Sequence, residues 1–194
     1  MIDYIIGKIS YIGEDYFLLE NQGIGYRINT SNNTLIQLIK GEDKQHIFTD
    51  LIVREDSMSL YGFVSEDEMK MFKLLLTVSK IGPKVACGIL STLRPVQIQK
   101  AIMLKDVTTL CKGPGVGKKT AERIVLELKD KVKGGFSEEE SFDEVVEVMD
   151  NEAVEALVAL GYSRYEAQKA FYGTDLNGMT VEDMIKLGLR KLSR

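Results

Sequence analysis

The strongest constraint on this chain is a pattern that occurs twice, 35 residues apart. Leu75-Leu76-Thr77-Val78-Ser79-Lys80-Ile81-Gly82-Pro83-Lys84-Val85-Ala86 lies over Leu110-Cys111-Lys112-Gly113-Pro114-Gly115-Val116-Gly117-Lys118-Lys119-Thr120-Ala121. Leu75 meets Leu110, Ile81 meets Val116, Gly82 meets Gly117, Lys84 meets Lys119 and Ala86 meets Ala121. The match continues through Ile89/Ile124, Leu90/Val125 and Leu93/Leu128. Each copy predicts a helix, a tight glycine-containing turn and a second helix with lysine in its first turn. The glycines allow positive φ and close approach to a ligand. Small Ala86 and Ala121 let the paired helices cross closely. The second copy opens into a helix predicted over Lys118–Lys131, whose first N–H groups lack intrahelical acceptors and whose dipole favours an anion. Lys84, Lys118, Lys119 and Arg123 add charge. Such a turn holds a backbone phosphate without reading bases, and two in tandem point to a grip on duplex DNA by shape.

Two other readings compete. A nucleotide-binding P-loop requires G-x-x-x-x-G-K-[ST], but Lys112 stands at the first glycine, Lys119 at the Ser/Thr, and no apolar strand precedes the segment. A purely structural helix–turn–helix with solvated lysines explains one copy more easily than two with aligned lysines.

Charge is partitioned along the chain. Residues 1–63 carry five Lys/Arg against nine Asp/Glu, residues 64–133 fourteen against seven, and residues 134–194 six against thirteen. The basic excess falls on the repeat, which favours a polyanionic partner there although the whole chain is at −4. The chain of 194 residues, 44% hydrophobic, suffices for one large domain or two to three small ones. No apolar run approaches the 18 residues of a membrane span, and the N-terminus lacks the layout of a signal peptide. Cys87 and Cys111 read as small core residues of a protein in a reducing compartment, and with His46 as the one histidine they make no usual zinc site.

The expected fold is a multi-domain α+β chain. Residues 1–63 predict an OB-like β-barrel from short runs at Ile5–Ile12, Tyr16–Glu20, Ile24–Thr30, His46–Val53 and Ser59–Phe63, with a helical turn over Thr34–Lys40. Residues 64–133 predict the tandem helix–hairpin–helix domain. It opens with a capping box of Ser65 and Glu68 ahead of the Met69, Phe72, Leu75, Leu76 stripe. Pro95 starts a further helix, and Asp106 caps the short one leading to Leu110. Residues 134–142 (Gly134-Gly135 through Glu138-Glu139-Glu140) predict a flexible acidic linker. Residues 143–194 predict a small three-helix, UBA-like bundle. Val154, Leu157, Val158 and Leu160 form a face ending at Gly161. Ser163 caps a helix through Ala167, Ala170 and Phe171 that Gly173 stops, and Thr180 caps the last. This acidic bundle reads as a docking module.

Val53-Arg54-Glu55-Asp56, Leu60-Tyr61-Gly62-Phe63, Ile81-Gly82-Pro83-Lys84 and Gly115-Val116-Gly117-Lys118-Lys119-Thr120-Ala121-Glu122-Arg123 together resemble the RuvA family of bacterial Holliday-junction branch-migration proteins. Leu157-Val158-Ala159-Leu160-Gly161-Tyr162 resembles that family's C-terminal module, so the resemblance spans the chain. It implies a cytoplasmic, membrane-free homotetramer, or two tetramers forming an octamer on DNA, holding an open four-way junction. The hairpins would hold phosphates through Ile81, Gly82, Lys84, Gly115, Gly117, Lys118, Lys119, Thr120 and Arg123. The third domain would dock the hexameric ATPase RuvB through Leu157, Leu160, Tyr162 and Leu189. The RuvC resolvase would act later.

Arg54-Glu55-Asp56 alone reads as a charged β-turn; under the resemblance, Glu55 and Asp56 are an acidic pin near the crossover. Carboxylate and phosphate charges ~4 Å apart repel by roughly 1 kcal/mol in water, and by more near protein. The pin would therefore keep the junction mobile. The chain departs from the family pattern at Lys80, which stands where the second hairpin has Gly115. Lys80 must avoid positive φ or bear strain on the order of 1 kcal/mol. No catalytic site and no cofactor are expected, ATP and Mg2+ being used by the partner motor. A structure-specific nuclease would need an organised carboxylate cluster, and a single-strand-binding barrel would carry its basic and aromatic residues on the barrel.

Overall fold

The computed structural model of the chain describes residues 2–41, 44–132, 152–162, 164–171, 174, 176 and 179–192. Two compact units divide it, Met1–Ser137 and Glu138–Arg194.

In the first unit five strands close a barrel: β1 (Tyr4–Ile12), β2 (Tyr16–Asn21), β3 (Ile24–Asn29), β4 (Gln45–Val53) and β5 (Met58–Phe63). The order around it is β1-β2-β3-β5-β4, antiparallel throughout except for the parallel pairing of β3 with β5. Strand alternation does the sorting: Ile5, Ile9, Phe17, Leu19, Ile28 and Ile47 are buried while their neighbours along each strand face outward. The register shift between Ile9 and Tyr11 is a bulge that bends the long first strand. Gly62 is dictated by crowding, since a Cβ there would stand 2.6 Å from Ile28 Cγ2 and 2.8 Å from Ile47 Cγ2.

The predicted turn over Thr34–Lys40 is a short helix, α1 (Asn32–Leu35), that begins earlier than expected. Ser31 starts it by accepting from the Thr34 N–H at 3.0 Å, so the cap rather than the apolar run sets the boundary.

The helical part follows without a break in the core: α2 (Glu66–Leu76), α3 (Pro83–Thr92), α4 (Pro95–Leu104), α5 (Val107–Leu110) and α6 (Lys118–Leu128). Asp106 caps α5, its carboxylate accepting from Thr109 N at 3.0 Å and Thr109 Oγ1 at 2.6 Å. Those bonds hold the Asp106 carboxyl below its ordinary range. Helix α6 ends at Leu128 rather than Lys131, the chain continuing as a turn in which Lys131 N donates to Leu128 O at 2.9 Å. Phe63 of the barrel and Met71, Phe72, Leu75, Ile89, Leu110, Ile124 and Leu128 of the helices share one apolar cluster. Cys87 lies within it and Cys111 against it, both free thiols, and burial pushes the Cys87 thiol well up.

The predicted Ser65–Glu68 capping box forms by half. Ser65 Oγ accepts from Glu68 N at 3.0 Å, but the Glu68 carboxylate turns away. It is 3% exposed and accepts from Ser31 Oγ and, at 2.8 Å, from Thr34 Oγ1. Asn32 N donates to Ser91 Oγ at 2.9 Å, and Asn33 Nδ2 donates to Leu90 O. The loop after β3 is thus tied to both α2 and α3, and the first hairpin is held in fixed orientation on the barrel.

The second unit contains α7 (Glu152–Ala159), α8 (Arg164–Phe171) and α9 (Val181–Leu192) around Ala153, Val154, Leu157, Ala167, Phe171, Leu176 and Met184. Gly161, at φ 100°, ends α7: its N–H donates to Val158 O and that of Tyr162 to Leu157 O, the paired bonds of a Schellman stop. Thr180 Oγ1 accepts from Asp183 N at 3.2 Å to start α9. The expected linker, the cap at Ser163 and the stop at Gly173 lie outside the described residues.

Candidate nucleic-acid interface

The sequence repeat is also a conformational repeat. Lys80 has φ 71° and Gly115, 35 residues on, φ 81°. Ile81 N donates to Val78 O at 3.1 Å and Val116 N to Gly113 O at 3.0 Å. Gly82 and Gly117 cap α3 and α6 with φ/ψ of −97°/173° and −83°/168°, neither with a side-chain cap. Ala86 N reaches Gly82 O at 3.0 Å, and Ala121 N reaches Gly117 O at 2.9 Å. Lys80 therefore takes the left-handed conformation, which costs a non-glycine residue roughly 1–2 kcal/mol.

The glycines divide their work differently from expectation. Positive φ falls on Gly115 and Lys80, whereas Gly82 and Gly117 are extended. What the latter two supply is room. A Cβ on Gly117 would meet nothing within 4 Å, so the front of the α6 N-terminus is open to a ligand. The N–H groups of Lys118 and Lys119 begin the helix without an intrahelical acceptor, at the positive end of the helix dipole.

Lys84, Lys118 and Lys119 are exposed, and Thr120 is half-buried with its N–H on Gly117 O. Ile81, like Val116, points into the core, and its N–H is already spent on Val78 O. It seats the turn. Arg123, one turn after Lys119 on α6, is engaged within the fold: its Nη1 donates to Ser79 O at 3.3 Å, and its Nε lies 3.9 Å from Glu127 Oε1. Glu127 Oε2 accepts from Ser79 N at 3.3 Å, and Lys131 Nζ donates to Thr77 Oγ1 at 3.2 Å. Helix α6 and the turn that follows it thereby hold the turn of the first hairpin.

The hairpins also interlock through two glycines that the repeat did not flag. A Cβ on Gly88 of α3 would be 2.8 Å from Pro114 Cγ, and one on Gly113 would be 2.9 Å from Ile89 Cγ1. Together with the α6 contacts these fix the spacing of the two turns.

Glu55 and Asp56 occupy the exposed β4–β5 turn, closed by Arg54 N on Ser57 O at 2.8 Å and Ser57 Oγ on Asp56 Oδ1 at 3.2 Å. In the second unit Leu157 is fully buried, Tyr162 and Leu189 are partly buried, and Leu160, past the end of α7, is 60% exposed. Among the described residues no group of three or more His, Cys, Asp or Glu is placed to hold a metal, and no helix is long and apolar enough to cross a membrane.

Three family models match the chain in the order of these elements: the RuvA N-terminal domain over residues 1–62, the SAM-like helix-hairpin-helix tandem over 72–130, and the RuvA C-terminal domain over 149–193. The Holliday junction branch migration complex subunit RuvA of Alkaliphilus oremlandii is 46% identical over 195 residues, covering 100% of both chains. The chain belongs to the RuvA family. The same-named subunits of Clostridium beijerinckii (44% identical, 99% of each chain) and Acetivibrio thermocellus (41%, 100% of each) are similar over the same span. The family's barrel, hairpin and C-terminal modules thus coincide with the barrel, the paired turns and the α7–α9 bundle.

Proposed function

We propose that this RuvA-family chain is the non-catalytic, structure-specific DNA-binding subunit of a branch-migration complex, holding four-way junctions open for an ATP-driven motor. The observation that carries the reading is the pair of glycine-capped, lysine-flanked helix N-termini with matching backbone angles, held at fixed spacing by α6 and by Gly88 and Gly113. Groups of this kind contact phosphates and leave bases unread. Gly82, Lys84, Gly115, Gly117, Lys118, Lys119 and Thr120 form the grip, with Ile81 and Arg123 positioning it. A homotetramer would bring four such grips and eight carboxylates from Glu55 and Asp56 to one junction. Attraction then acts on the arms and repulsion at the crossover, so strands are held while remaining free to exchange. The chain takes no cofactor, ATP and Mg2+ belonging to the RuvB motor, and RuvC would act on the same junction. Exposed Leu160 is the leading docking contact for the motor, while Leu157 keeps the bundle folded and Tyr162 and Leu189 flank it. A gel-shift competition between a four-way junction and a linear duplex of matched sequence, in Mg2+ and without partners, tests this. Preference for the junction with no cleavage supports it; equal binding, or cleavage, refutes it.

A further inference from the structure

The two hairpins agree in backbone and differ in charge. At the offset of 35, Lys84 matches Lys119, but Pro83 stands where the second hairpin has Lys118. The first turn of α3 thus has one lysine against two in α6. The space in front of the two caps differs in the complementary sense. Nothing lies within 4 Å of a Cβ built on Gly117, whereas one on Gly82 would find an Arg54 guanidinium nitrogen at 4.0 Å.

Arg54 comes from the barrel, at the first position of the β4–β5 turn. It is exposed, and its backbone N–H is fixed to Ser57 O. Its side chain makes no ion pair among the described residues, although Glu55 and Asp56 follow it directly. Its positive charge is felt by Tyr61, and a long cation that stands at a glycine-capped helix N-terminus is placed for an anion arriving there.

We propose that Arg54 is a phosphate ligand of the first hairpin, supplying from the barrel the charge that Lys118 supplies in the second. The proposal rests on the reading of the hairpins as phosphate grips. A guanidinium offers a planar fork of donors matched to phosphate oxygens, so Arg54 and the first-turn N–H groups of α3 would close on one phosphate from two sides. Attraction at Arg54 and repulsion at Glu55 and Asp56 then sit on a single turn. The strand held by the first hairpin is delivered to the edge of the acidic pair and no further.

The test is the salt dependence of junction binding by the full chain, measured for wild type, Arg54→Ala, Arg54→Lys, Lys118→Ala and Lys119→Ala, with thermal unfolding of each. Arg54→Ala is expected to lower the slope of log K against log salt by about 0.9, to weaken binding as Lys118→Ala does, and to leave the unfolding temperature unchanged. Arg54→Lys is expected to restore the slope with weaker binding than wild type. An unchanged slope in Arg54→Ala overturns the proposal, whether affinity falls through a disturbed turn or rises. If Lys119→Ala also leaves the slope unchanged, the hairpin reading itself fails; if only Arg54→Ala does, that reading stands and the Arg54 assignment alone is lost.

Discussion

Glu68 gives the sharpest prediction about what holds the hairpins in place. Its carboxyl is buried between the barrel and α2, with Ser31 and Thr34 as donors and Arg94 contributing favourable charge at longer range. Desolvation outweighs these and raises its pKa from an ordinary 4.5 to about 7. An acid raised in this way stabilises the fold most where it is protonated in both states, below pH ~4.5. That contribution is lost as pH climbs through 7. At about 1.4 kcal/mol per pKa unit the loss is on the order of 3 kcal/mol, or roughly 10 °C in unfolding temperature for a unit of this size. Glu68→Gln cannot ionise, and it can still accept from Ser31 and lie against Thr34. Calorimetric unfolding at pH 5 to 8 is expected to show the variant close to wild type at pH 5 and gaining on it by about 10 °C towards pH 8. The difference between the proteins isolates Glu68 from every other titrating group. A difference that stays constant across this range would refute the argument that the buried carboxyl is held at the expense of its charge.

Three further outcomes follow from the hairpins and the bundle. Gly117→Ala, at an extended φ with nothing within 4 Å of the new Cβ, is expected to change stability by about 1 kcal/mol at most yet weaken junction binding; urea unfolding beside a gel shift separates the two. Lys80→Gly relieves a left-handed φ of 71° and is expected to stabilise the fold by about 1 kcal/mol, read as a higher urea midpoint. Removing residues 143–194 is expected to leave junction binding unchanged and abolish stimulation of the motor's ATPase, because the grip lies wholly in the first unit.

Much of this was legible in the sequence where the signal is local or periodic. Strand alternation in the barrel, the cap at Asp106, Pro95 at the head of α4 and Gly161 at the stop of α7 each depend on neighbours within a few residues. The repeat showed the two turns because identical chemistry at a fixed offset has few other causes. What escaped depends on contacts across the fold. Glu68 carries the pattern of a capping box, and only the arrival of Ser31 and Thr34 from the barrel gives its carboxylate better partners. Gly88 and Gly113 look like ordinary glycines until Pro114 and Ile89 are packed against them. Arg123 reads as one more phosphate ligand, and only the fold shows that its guanidinium also reaches Ser79 O, while Arg54 reads as part of a charged turn until α3 is seen beside it. Leu157 and Leu160 share an apolar face on paper, but α7 ends at Ala159, which turns one inward and leaves the other outside.

The central claim is that the paired turns hold phosphates, and the salt dependence of junction affinity for Lys84→Ala and Lys119→Ala tests it most directly. Each variant should bind more weakly to junctions of every sequence, with the slope of log K against log salt reduced by about 0.9. Unchanged slopes, or a loss confined to particular sequences, would contradict it.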